Sequence, residues 1–410
     1  MRVFCLGGAG QICRESVYDL VAYSDFEQIT IGDYDVCKAL ETKEWLNDSR
    51  VDVVQVDVRD VSETAAKMAG YDVVMDGTQI TLNGYSTECI ARAGCHGVNL
   101  NGFGEEWPWD SLFKAAGRSC VPGFGMTPGI TQMMAMRAAN QLESVDEIFV
   151  SHGAFRPIAF SPSITETTIY EYDPALPSRV VYENGEFVQV PPFARPKTIV
   201  LPEPYGETRQ YIIPHSETVT LAQALKDKGV RLIEVRGTWP DQNMALIRGL
   251  YEFGILANPR VRVSGRGADS GCGADSGCGA AGGVGADSCE VGLLSLIGDY
   301  LQSCEQGKTT ALYGYALHVE VLGSVGGEKY RALLTHSHPP SDGSIAEWAG
   351  LRAYTRNVGI PLAIAAVLLA KGEVKQHGVL IPEHAFEPTT IFRELEKRGL
   401  VIHEQWRPFE

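Results

Sequence analysis

Val3-Phe4-Cys5-Leu6-Gly7-Gly8-Ala9-Gly10 is an apolar run that leads directly into a glycine-rich loop, and an amphipathic helix is expected to follow. This order of strand, glycine loop and helix is typical of dinucleotide-binding folds. Gly8 permits the tight turn, and Gly10 lets the backbone come close to a pyrophosphate. The amides of Gln11 and Ile12 would then point at that anion from the helix N-terminus.

The second expected strand, residues 28–32, ends at Asp33, about twenty residues after the glycine loop. A carboxylate there can accept hydrogen bonds from both adenosine ribose hydroxyls and would repel a 2′-phosphate. The alternative role is a turn residue or helix cap, because a helix is expected after Asp35. The third glycine of the motif is replaced by Cys13, which is small enough for helix and strand to approach each other. Together these residues predict binding of NAD rather than NADP.

The alternation of strands and helices continues along the chain. Strands are expected at residues 51–56, 71–76 and 98–101, with helical segments at 62–69 and 84–93. Elements of this length in this order imply parallel strands joined by right-handed crossovers. We therefore predict an α/β fold, with a doubly wound parallel sheet of the Rossmann type in residues 1–125.

The carboxyl ends of parallel strands share one edge of the sheet, where such folds bind their ligands. Residues at or just after these ends are candidate contacts for cofactor or substrate: Asp57, Val58, Asp76, Thr78, Gln79, Asn99 and Asn101. Asp57 and Val58 would lie near the adenine, and the later strand ends would face the nicotinamide half of the cofactor.

After a dense turn segment at residues 120–129, polar and apolar residues begin to alternate, as in half-exposed strands. Strands are expected at residues 147–152, 180–190, 197–201, 232–237, 311–321 and 330–336. Such a pattern suits a mostly antiparallel sheet, and it predicts a second, α+β domain over residues 126–345. Helices at 345–355, 360–370 and around 389–398, with a strand at 400–404, suggest that residues 346–410 pack back on the first domain.

Residues 265–288 repeat the unit Gly-Ala-Asp-Ser-Gly-Cys at 267–272 and 273–278. Low complexity with almost no large apolar side chains predicts a flexible surface loop. The Asp and Cys residues of this loop resemble metal ligands, as do His336 and His338. Glycine cannot pre-organise a site, however, and neither a CxxC motif nor a nearby carboxylate accompanies these groups. We therefore predict no metal.

The chain has 410 residues, of which 35 are Lys or Arg and 51 are Asp or Glu, so its net charge is −16. That charge repels phosphate backbones and anionic membranes, so neither nucleic acid nor membrane is an expected partner. The ten cysteines are scattered, and no apolar segment suits a signal peptide, which favours free thiols in a reducing compartment. The longest apolar stretch, residues 358–370, contains Pro361 and is expected to be a buried helix. These features predict a cytoplasmic protein.

Several segments spread over the chain carry a resemblance to a known family. Besides the opening strand and glycine loop, they are Met126-Thr127-Pro128-Gly129, Val235-Arg236-Gly237-Thr238-Trp239-Pro240, Asn357-Val358-Gly359-Ile360-Pro361-Leu362 and Gly378-Val379-Leu380-Ile381-Pro382-Glu383. With these segments the chain resembles the saccharopine dehydrogenase family and close relatives such as lysine 6-dehydrogenase. The resemblance covers most of the chain, apart from residues 265–288.

This resemblance implies a Rossmann domain, an inserted domain for substrate binding and dimerisation, and a C-terminal segment that rejoins the first domain. It implies a homodimer that transfers hydride reversibly between a nicotinamide and an amine-bearing carbon of an amino acid, such as lysine or saccharopine. By position, the implied cofactor contacts are Gly10, Gln11, Ile12, Asp33, Asp57 and Val58. Met126, Thr127 and Pro128 would pass close to the nicotinamide.

Amine oxidation also needs a hold on the α-carboxylate and a group that takes a proton from the ammonium. Arg is the natural carboxylate clamp because its planar fork binds bidentately, so Arg156 and Arg236 are candidates, although either could be an ion-pair residue. His152 and Asp76 qualify for proton transfer by type and by their positions at strand ends. Further candidate substrate contacts are Asn101 and Thr238.

Two alternative functions fit the same residues. One is a carboxypolyamine or other imine reductase of the same fold, which reduction assays with an aldehyde and an amine would reveal. The other is a non-catalytic NAD-binding protein, which NAD would stabilise against heat without any turnover of amines.

Overall fold

The computed structural model describes residues 1–161, 165, 168–169, 171–264 and 288–409, and the chain forms two compact units. The first unit comprises Met1–Arg156, Pro177–Pro240 and Thr310–Glu410, and the second comprises Pro157–Leu176 and Asp241–Thr309. Residues 265–287 of the expected repeat loop lie outside the described residues.

The strands are given in chain order. They are β1 (Arg2–Leu6), β2 (Gln28–Asp33), β3 (Val51–Gln55), β4 (Val73–Asp76), β5 (His96–Asn99), β6 (Ser119–Val121), β7 (Ser144–Phe155), β8 (Val180–Glu183), β9 (Glu186–Gln189), β10 (Lys197–Leu201), β11 (Gly206–Ile212), β12 (Leu232–Thr238), β13 (Arg260–Ser264), β14 (Ser288–Gly292), β15 (Gly314–Val325), β16 (Glu328–Ser337), β17 (Gly378–Val379) and β18 (Val401–Pro408).

The α-helices follow the same order. They are α1 (Cys13–Tyr23), α2 (Val36–Leu46), α3 (Val61–Met68), α4 (Asn83–Ala93), α5 (Asp110–Ala115), α6 (Ile130–Ala139), α7 (Glu217–Ala224), α8 (Asp241–Glu252), α9 (Leu293–Ser303), α10 (Glu305–Lys308), α11 (Leu351–Ala370), α12 (Pro382–Ala385) and α13 (Pro388–Glu396).

A seven-stranded parallel sheet in the first unit has the order β17-β6-β5-β4-β1-β2-β3. The chain winds outward from β1 in both directions, so the predicted doubly wound parallel sheet is confirmed. Strand β5 covers His96–Asn99 rather than the expected 98–101, because the backbone turns at its end. There the amide of Asn101 donates a hydrogen bond of 3.0 Å to Oδ1 of Asn99.

Close contact between α1 and the parallel sheet is possible despite Cys13, because Gly77 leaves room for it. A Cβ placed on Gly77 would lie 2.8 Å from both Cβ and Sγ of Cys13. Gly77, which directly follows β4, thus supplies the space that a third motif glycine in place of Cys13 would have supplied.

Helix α11 packs along α1. A Cβ on Gly359 would lie 2.8 Å from Oγ of Ser16, and Arg352 donates to Glu15 of α1 at 2.9 Å. The two helices expected at 345–355 and 360–370 are in fact one helix, because Pro361 lies inside it without ending it. Within the described part of the chain, α11 alone is long and apolar enough to cross a membrane, but 83% of its apolar window is buried inside the structure, as in a core helix.

The second sheet of the first unit has nine strands, in the order β10-β11-β12-β7-β15-β16-β18, with the hairpin β8–β9 attached to β12. Only β12 and β7 pair in parallel, which confirms the predicted mostly antiparallel sheet. The single strand expected at 180–190 is a hairpin. Asn184 and Gly185 have φ of 48° and 95°, which is the backbone of a tight two-residue turn.

The second unit is smaller. Its described part contains the antiparallel pair β13–β14 and helices α8, α9 and α10. A cavity of about 430 Å³ lies between Leu256 and the first turns of α9.

Candidate active site

The glycine loop presents unused backbone donors at the start of α1. The amide of Gly10 donates to Gly7 at 3.0 Å, whereas the amides of Gln11 and Ile12 donate no backbone hydrogen bond within the described residues. Helix N-termini with free amides bind anions, and Gly10 has no side chain to keep a ligand away. These residues therefore fit the pyrophosphate of a dinucleotide.

Asp33 lies beside this loop at the end of β2. Its Oδ2 accepts from the amide of Ala9 at 3.1 Å, and its Oδ1 accepts from the amide of Asp35 at 3.0 Å. The cap of α2 is Asp35, whose side chain accepts from the amide of Lys38. Asp33 is thus not the helix cap, and its carboxylate is fixed against the phosphate-binding loop.

An ion pair lies at the next strand end, where the adenine contacts are expected. The hydrogen bonds from Arg59, at 2.8 Å from Nε and 2.6 Å from Nη2, hold the pKa of Asp57 below its usual value. Val58 is buried in the core. The guanidinium of Arg59 lies 5.7 Å from the ring centroid of Tyr34, an exposed residue beside Asp33.

Asp76 and Asn99 belong to a buried polar network at the later strand ends. Asp76 accepts from the hydroxyl of Ser86 at 2.6 Å and from the amide of Thr78 at 2.9 Å. Asn99 donates to Glu106 at 2.9 Å, and its Oδ1 accepts from the amides of Asn101 and Gly123 at 3.0 and 3.2 Å. Burial raises the pKa of Asp76. These hydrogen bonds hold the loops that would face the nicotinamide.

The turn that contains Met126, Thr127 and Pro128 is tied to a carboxylate that the sequence pattern did not single out. Glu217, at the start of α7, accepts from the hydroxyls of Thr127 and Thr131 at 2.6 and 2.8 Å. Its other oxygen lies 3.5 Å from Nδ1 of His215. Met126 itself is buried.

The nine-stranded sheet has two faces with different chemistry, because successive side chains of a strand point to opposite sides. His152 pairs in register with Gly237 and Leu317. A Cβ on Gly237 would lie 2.7 Å from the His152 ring, so both point to the same side. We call this side the His152 face. The opposite side, reached by the neighbouring residues Arg236 and His318, is called the Arg236 face.

The His152 face holds a column of stacked rings. His152 stacks on His215 and on Tyr315, with centroids 5.4 and 5.7 Å apart, and Tyr315 stacks on Tyr354 at 5.6 Å. The guanidinium of Arg156 lies over the Tyr354 ring at 5.3 Å. Arg156 and His152 are both buried, so one face combines a cation, imidazoles and phenols.

On the Arg236 face, Nη2 of Arg236 forms an ion pair of 2.6 Å with Glu234, and Nε donates to the carbonyl of Arg195 at 3.2 Å. Arg236 is thus ion-paired with Glu234 on the side of the sheet opposite to His152. Thr238 points to the same side by alternation, and its hydroxyl donates to the carbonyl of Trp239 at 3.3 Å.

His336 and His338 are each engaged without a metal ligand set. Nε2 of His336 lies 2.9 Å from Oδ1 of Asn357, and Nε2 of His338 lies 2.8 Å from the hydroxyl of Tyr205. Among the described residues, no group of three or more His, Cys, Asp or Glu gathers in a way that could hold a metal ion.

The structure thus brings together three of the predicted site residues: His152, Arg156 and Thr127. Sequence reasoning missed His215, Glu217, Tyr315 and Tyr354. The sequence His215-Ser216-Glu217 just before α7 was the available signal. Such a triplet also occurs in ordinary helix starts, however, where Ser and Glu favour the first turn.

A dinucleotide loop on one sheet and buried acid–base groups on the other define a pyridine-nucleotide-dependent oxidoreductase. Comparison with family models places the chain more closely. The saccharopine dehydrogenase NADP binding domain matches residues 3–121, and the saccharopine dehydrogenase C-terminal domain matches residues 125–400. The chain belongs to the saccharopine dehydrogenase family.

Individual relatives are distant but similar over their whole length. Carboxyaminopropylagmatine dehydrogenase of Synechocystis sp. is 21% identical over 97% of this chain and 96% of that protein. The apo structure of saccharopine dehydrogenase (L-Glu forming) from Saccharomyces cerevisiae has a TM-score of 0.69 at 15% identity, covering 99% of both chains. Homospermidine synthase of Legionella pneumophila in complex with NAD has a TM-score of 0.64 at 11% identity, covering 99% of this chain and 91% of the other. The two solved structures show a shared fold.

The predicted family and fold class are confirmed, and so is an NAD(P)-dependent dehydrogenase of a family that acts on amine-bearing carbons. The matching domain is described as NADP binding, whereas the homospermidine synthase structure contains NAD.

Proposed function

We propose that this protein is an NAD-dependent dehydrogenase that oxidises the C–N bond of an amino acid carrying a lysine-like or secondary amine. The observation that carries the proposal is the His152 face, where a buried arginine and a column of aromatic rings lie beside an imidazole–carboxylate pair. That pair is hydrogen-bonded to the turn expected beside the nicotinamide.

Each group on this face has a task that its chemistry suits. Arg156 would bind the substrate α-carboxylate, because its planar fork matches two oxygens. The rings of Tyr315 and Tyr354 would exclude water and favour the cationic iminium that forms at the reacting carbon, since ring faces attract cations. NAD supplies the hydride acceptor when bound. Gln11 and Ile12 would hold its pyrophosphate.

The choice of NAD is proposed from Asp33. Its carboxylate is fixed by the amides of Ala9 and Asp35, so it cannot easily swing away from a phosphate placed on the ribose. A carboxylate in this position favours two ribose hydroxyls over a 2′-phosphate.

A second candidate function is oxidation or formation of a carboxylated polyamine. It is favoured by the full-length similarity to carboxyaminopropylagmatine dehydrogenase. Its substrate would share the amine and the carboxylate but carry a second cationic group, which the ring column of the His152 face can accommodate.

We also propose a homodimer that works in the cytoplasm. The support is the family resemblance together with buried free thiols, such as Cys5, Cys95 and Cys120, which suit a reducing compartment. Light scattering behind size exclusion should give twice the mass of 44.6 kDa.

The deciding experiment measures amine-dependent reduction of NAD by the purified protein. The panel contains lysine, saccharopine, carboxyaminopropylagmatine and each compound without its carboxylate. We expect turnover of at least one carboxylated amine and little turnover of its counterpart without the carboxylate. NAD-induced thermal stabilisation with no turnover in either direction would instead support a non-catalytic protein.

Cofactor preference has its own test. Asp33→Ala should weaken NAD binding about tenfold or more, because a hydrogen bond to a charged group is worth roughly 1.5–3 kcal/mol. The variant should also show a smaller preference for NAD over NADP. Asp35→Ala is the matched control, since it removes only the cap of α2 and should leave the preference unchanged. Tighter binding of NADP than NAD by the wild type would show that Asp33 is not the ribose ligand.

A further inference from the structure

The pair His215–Glu217 stands at the junction between the His152 face and the Thr127 turn. Glu217 is completely buried, and its Oε1 accepts from the hydroxyls of Thr127 and Thr131. Its Oε2 faces Nδ1 of His215 at 3.5 Å. The ring of His215 in turn stacks on His152, with an angle of 22° between the planes.

We propose that His215 accepts the proton from the substrate ammonium and that Glu217 stabilises the imidazolium that results. This inference rests on the proposed function and names the acid–base group of that site. Two observations carry it: the imidazole–carboxylate geometry, and the placement of His215 in the ring column that leads to Arg156.

The surroundings of Glu217 keep its carboxylate charged. Burial alone would raise the pKa of Glu217, but His215 and the hydroxyl of Thr127 outweigh it and lower the pKa to about 2. A buried carboxylate held in this way favours a cation beside it. Glu217 is therefore placed to balance a positive charge on the neighbouring imidazole.

His152, the proton-transfer candidate from sequence, has a different role in this proposal. Burial, reinforced by the charges of His215 and Arg156 and partly opposed by Glu217, lowers the pKa of His152 to about 3. We therefore infer that His152 is a positioning residue that supports the ring of His215. The charged and titratable groups around the pair are His152 from β7, Arg156 just after that strand, which acts on His152, and Glu383 from α12, which interacts electrostatically with Glu217.

The substrate ammonium loses one proton to Nε2 of His215, the ring nitrogen turned away from Glu217. NAD, when bound, would take up the C–H electron pair as hydride, and the lone pair left on the amine would then form the C=N bond of a cationic iminium. Addition of water to this iminium gives a carbonyl compound and an ammonium ion, and His215 returns its proton to the solvent.

The test compares pH profiles of kcat/KM, with NAD and the best substrate of the panel, for wild type, Glu217→Gln and His215→Ala. The matched controls are His318→Gln and Glu320→Gln, which disrupt a His–Glu pair of 2.8 Å on the opposite face of the same sheet. For Glu217→Gln we expect the acidic limb to move to lower pH by about one unit, because an opposite charge this close shifts a titration by 1–3 units.

For His215→Ala we expect a loss of about 100-fold or more in kcat/KM and disappearance of the acidic limb. Added imidazole should restore part of the activity, which a merely structural residue would not allow. The controls should stay within about threefold of wild type. An acidic limb that stays in place in both variants, or His215→Ala activity that imidazole does not restore, would overturn the inference.

If Glu217→Gln does not fold, the titration of His215 followed by NMR in wild type and in Thr127→Val replaces it. In Thr127→Val we expect the titration midpoint of His215 to be lower than in wild type, because the hydroxyl of Thr127 no longer holds Glu217 in place. A midpoint equal to that of wild type contradicts the inference. Failure of the proposed function is distinguishable, because wild type would then turn over no amine while His215 still titrates normally.

Discussion

The two faces of the nine-stranded sheet carry the same kinds of side chain in different arrangements. On the Arg236 face, cation and carboxylate meet directly, as in Arg236–Glu234 at 2.6 Å and His318–Glu320 at 2.8 Å. On the His152 face, the guanidinium of Arg156 lies over the ring of Tyr354, and His152 stacks on the ring of Tyr315. Aromatic ring faces attract cations. The two faces thus place the same residue types among different neighbours, and those neighbours, not the residue types, distinguish the candidate site.

The largest effect should come from Arg156. Arg156→Ala should lower kcat/KM for the carboxylated substrate by about 100-fold or more, since truncating one member of a buried charge pair costs roughly 2–5 kcal/mol. The kcat/KM of Arg156→Lys should lie between those of wild type and Arg156→Ala, because an ammonium cannot bind a carboxylate bidentately in the same plane. Steady-state kinetics measure this loss, and as a control the affinity for NAD should be the same in both variants as in wild type. A KM for the carboxylated substrate that stays at the wild-type value would break the distinction between the two faces.

Arg236 should behave in the opposite way. Arg236→Ala should lower the unfolding free energy by about 3 kcal/mol, because the buried carboxylate of Glu234 loses one of its positively charged partners. The KM for the substrate should change little. Urea unfolding at constant pH measures this. Arg92→Ala is the control, since its pair with Glu88 is half-exposed and worth no more than about 1 kcal/mol. A strong rise in KM without loss of stability would place Arg236 in the substrate site.

A smaller effect is expected from Glu383, a buried carboxylate near Glu217. Burial raises its pKa from 4.5 to about 7, so the native state keeps a proton that the unfolded chain releases between these values. Stability therefore falls as pH rises through this window and stays lower above it. Glu383→Gln should remove that fall, so its unfolding free energy should exceed that of wild type by up to about 3 kcal/mol at pH 8 and differ little near pH 4. Unfolding curves at several pH values give the difference, and a gain independent of pH would contradict the assignment.

Part of the fold and site could be predicted from local sequence. The glycine loop and Asp33 follow from motif spacing within one βαβ unit, and the structure fixes Asp33 against that loop. The hairpin at Asn184-Gly185 was missed although this dipeptide is a strong turn signal. Helix α11 was divided in two because Pro361 usually ends a helix, yet neighbouring packing holds it.

The rest of the site depends on contacts that no local pattern specifies. Glu217 meets Thr127 across 90 residues of sequence, and Tyr354 reaches the ring column from α11. Alternation in β7 shows that His152 and Ser151 point to opposite sides, but it does not show that β12 and β15 are the neighbouring strands. For this reason Arg156 and Arg236 looked equivalent in sequence and differ in structure.

The most direct test of the account is the ratio of kcat/KM for the best carboxylated amine to that for the same amine without its carboxylate. It is measured in wild type, Arg156→Ala and Arg236→Ala. We expect a ratio of about 100 or more in wild type and in Arg236→Ala, and a ratio below about ten in Arg156→Ala. A ratio that survives in Arg156→Ala and collapses in Arg236→Ala would contradict the placement of the substrate on the His152 face.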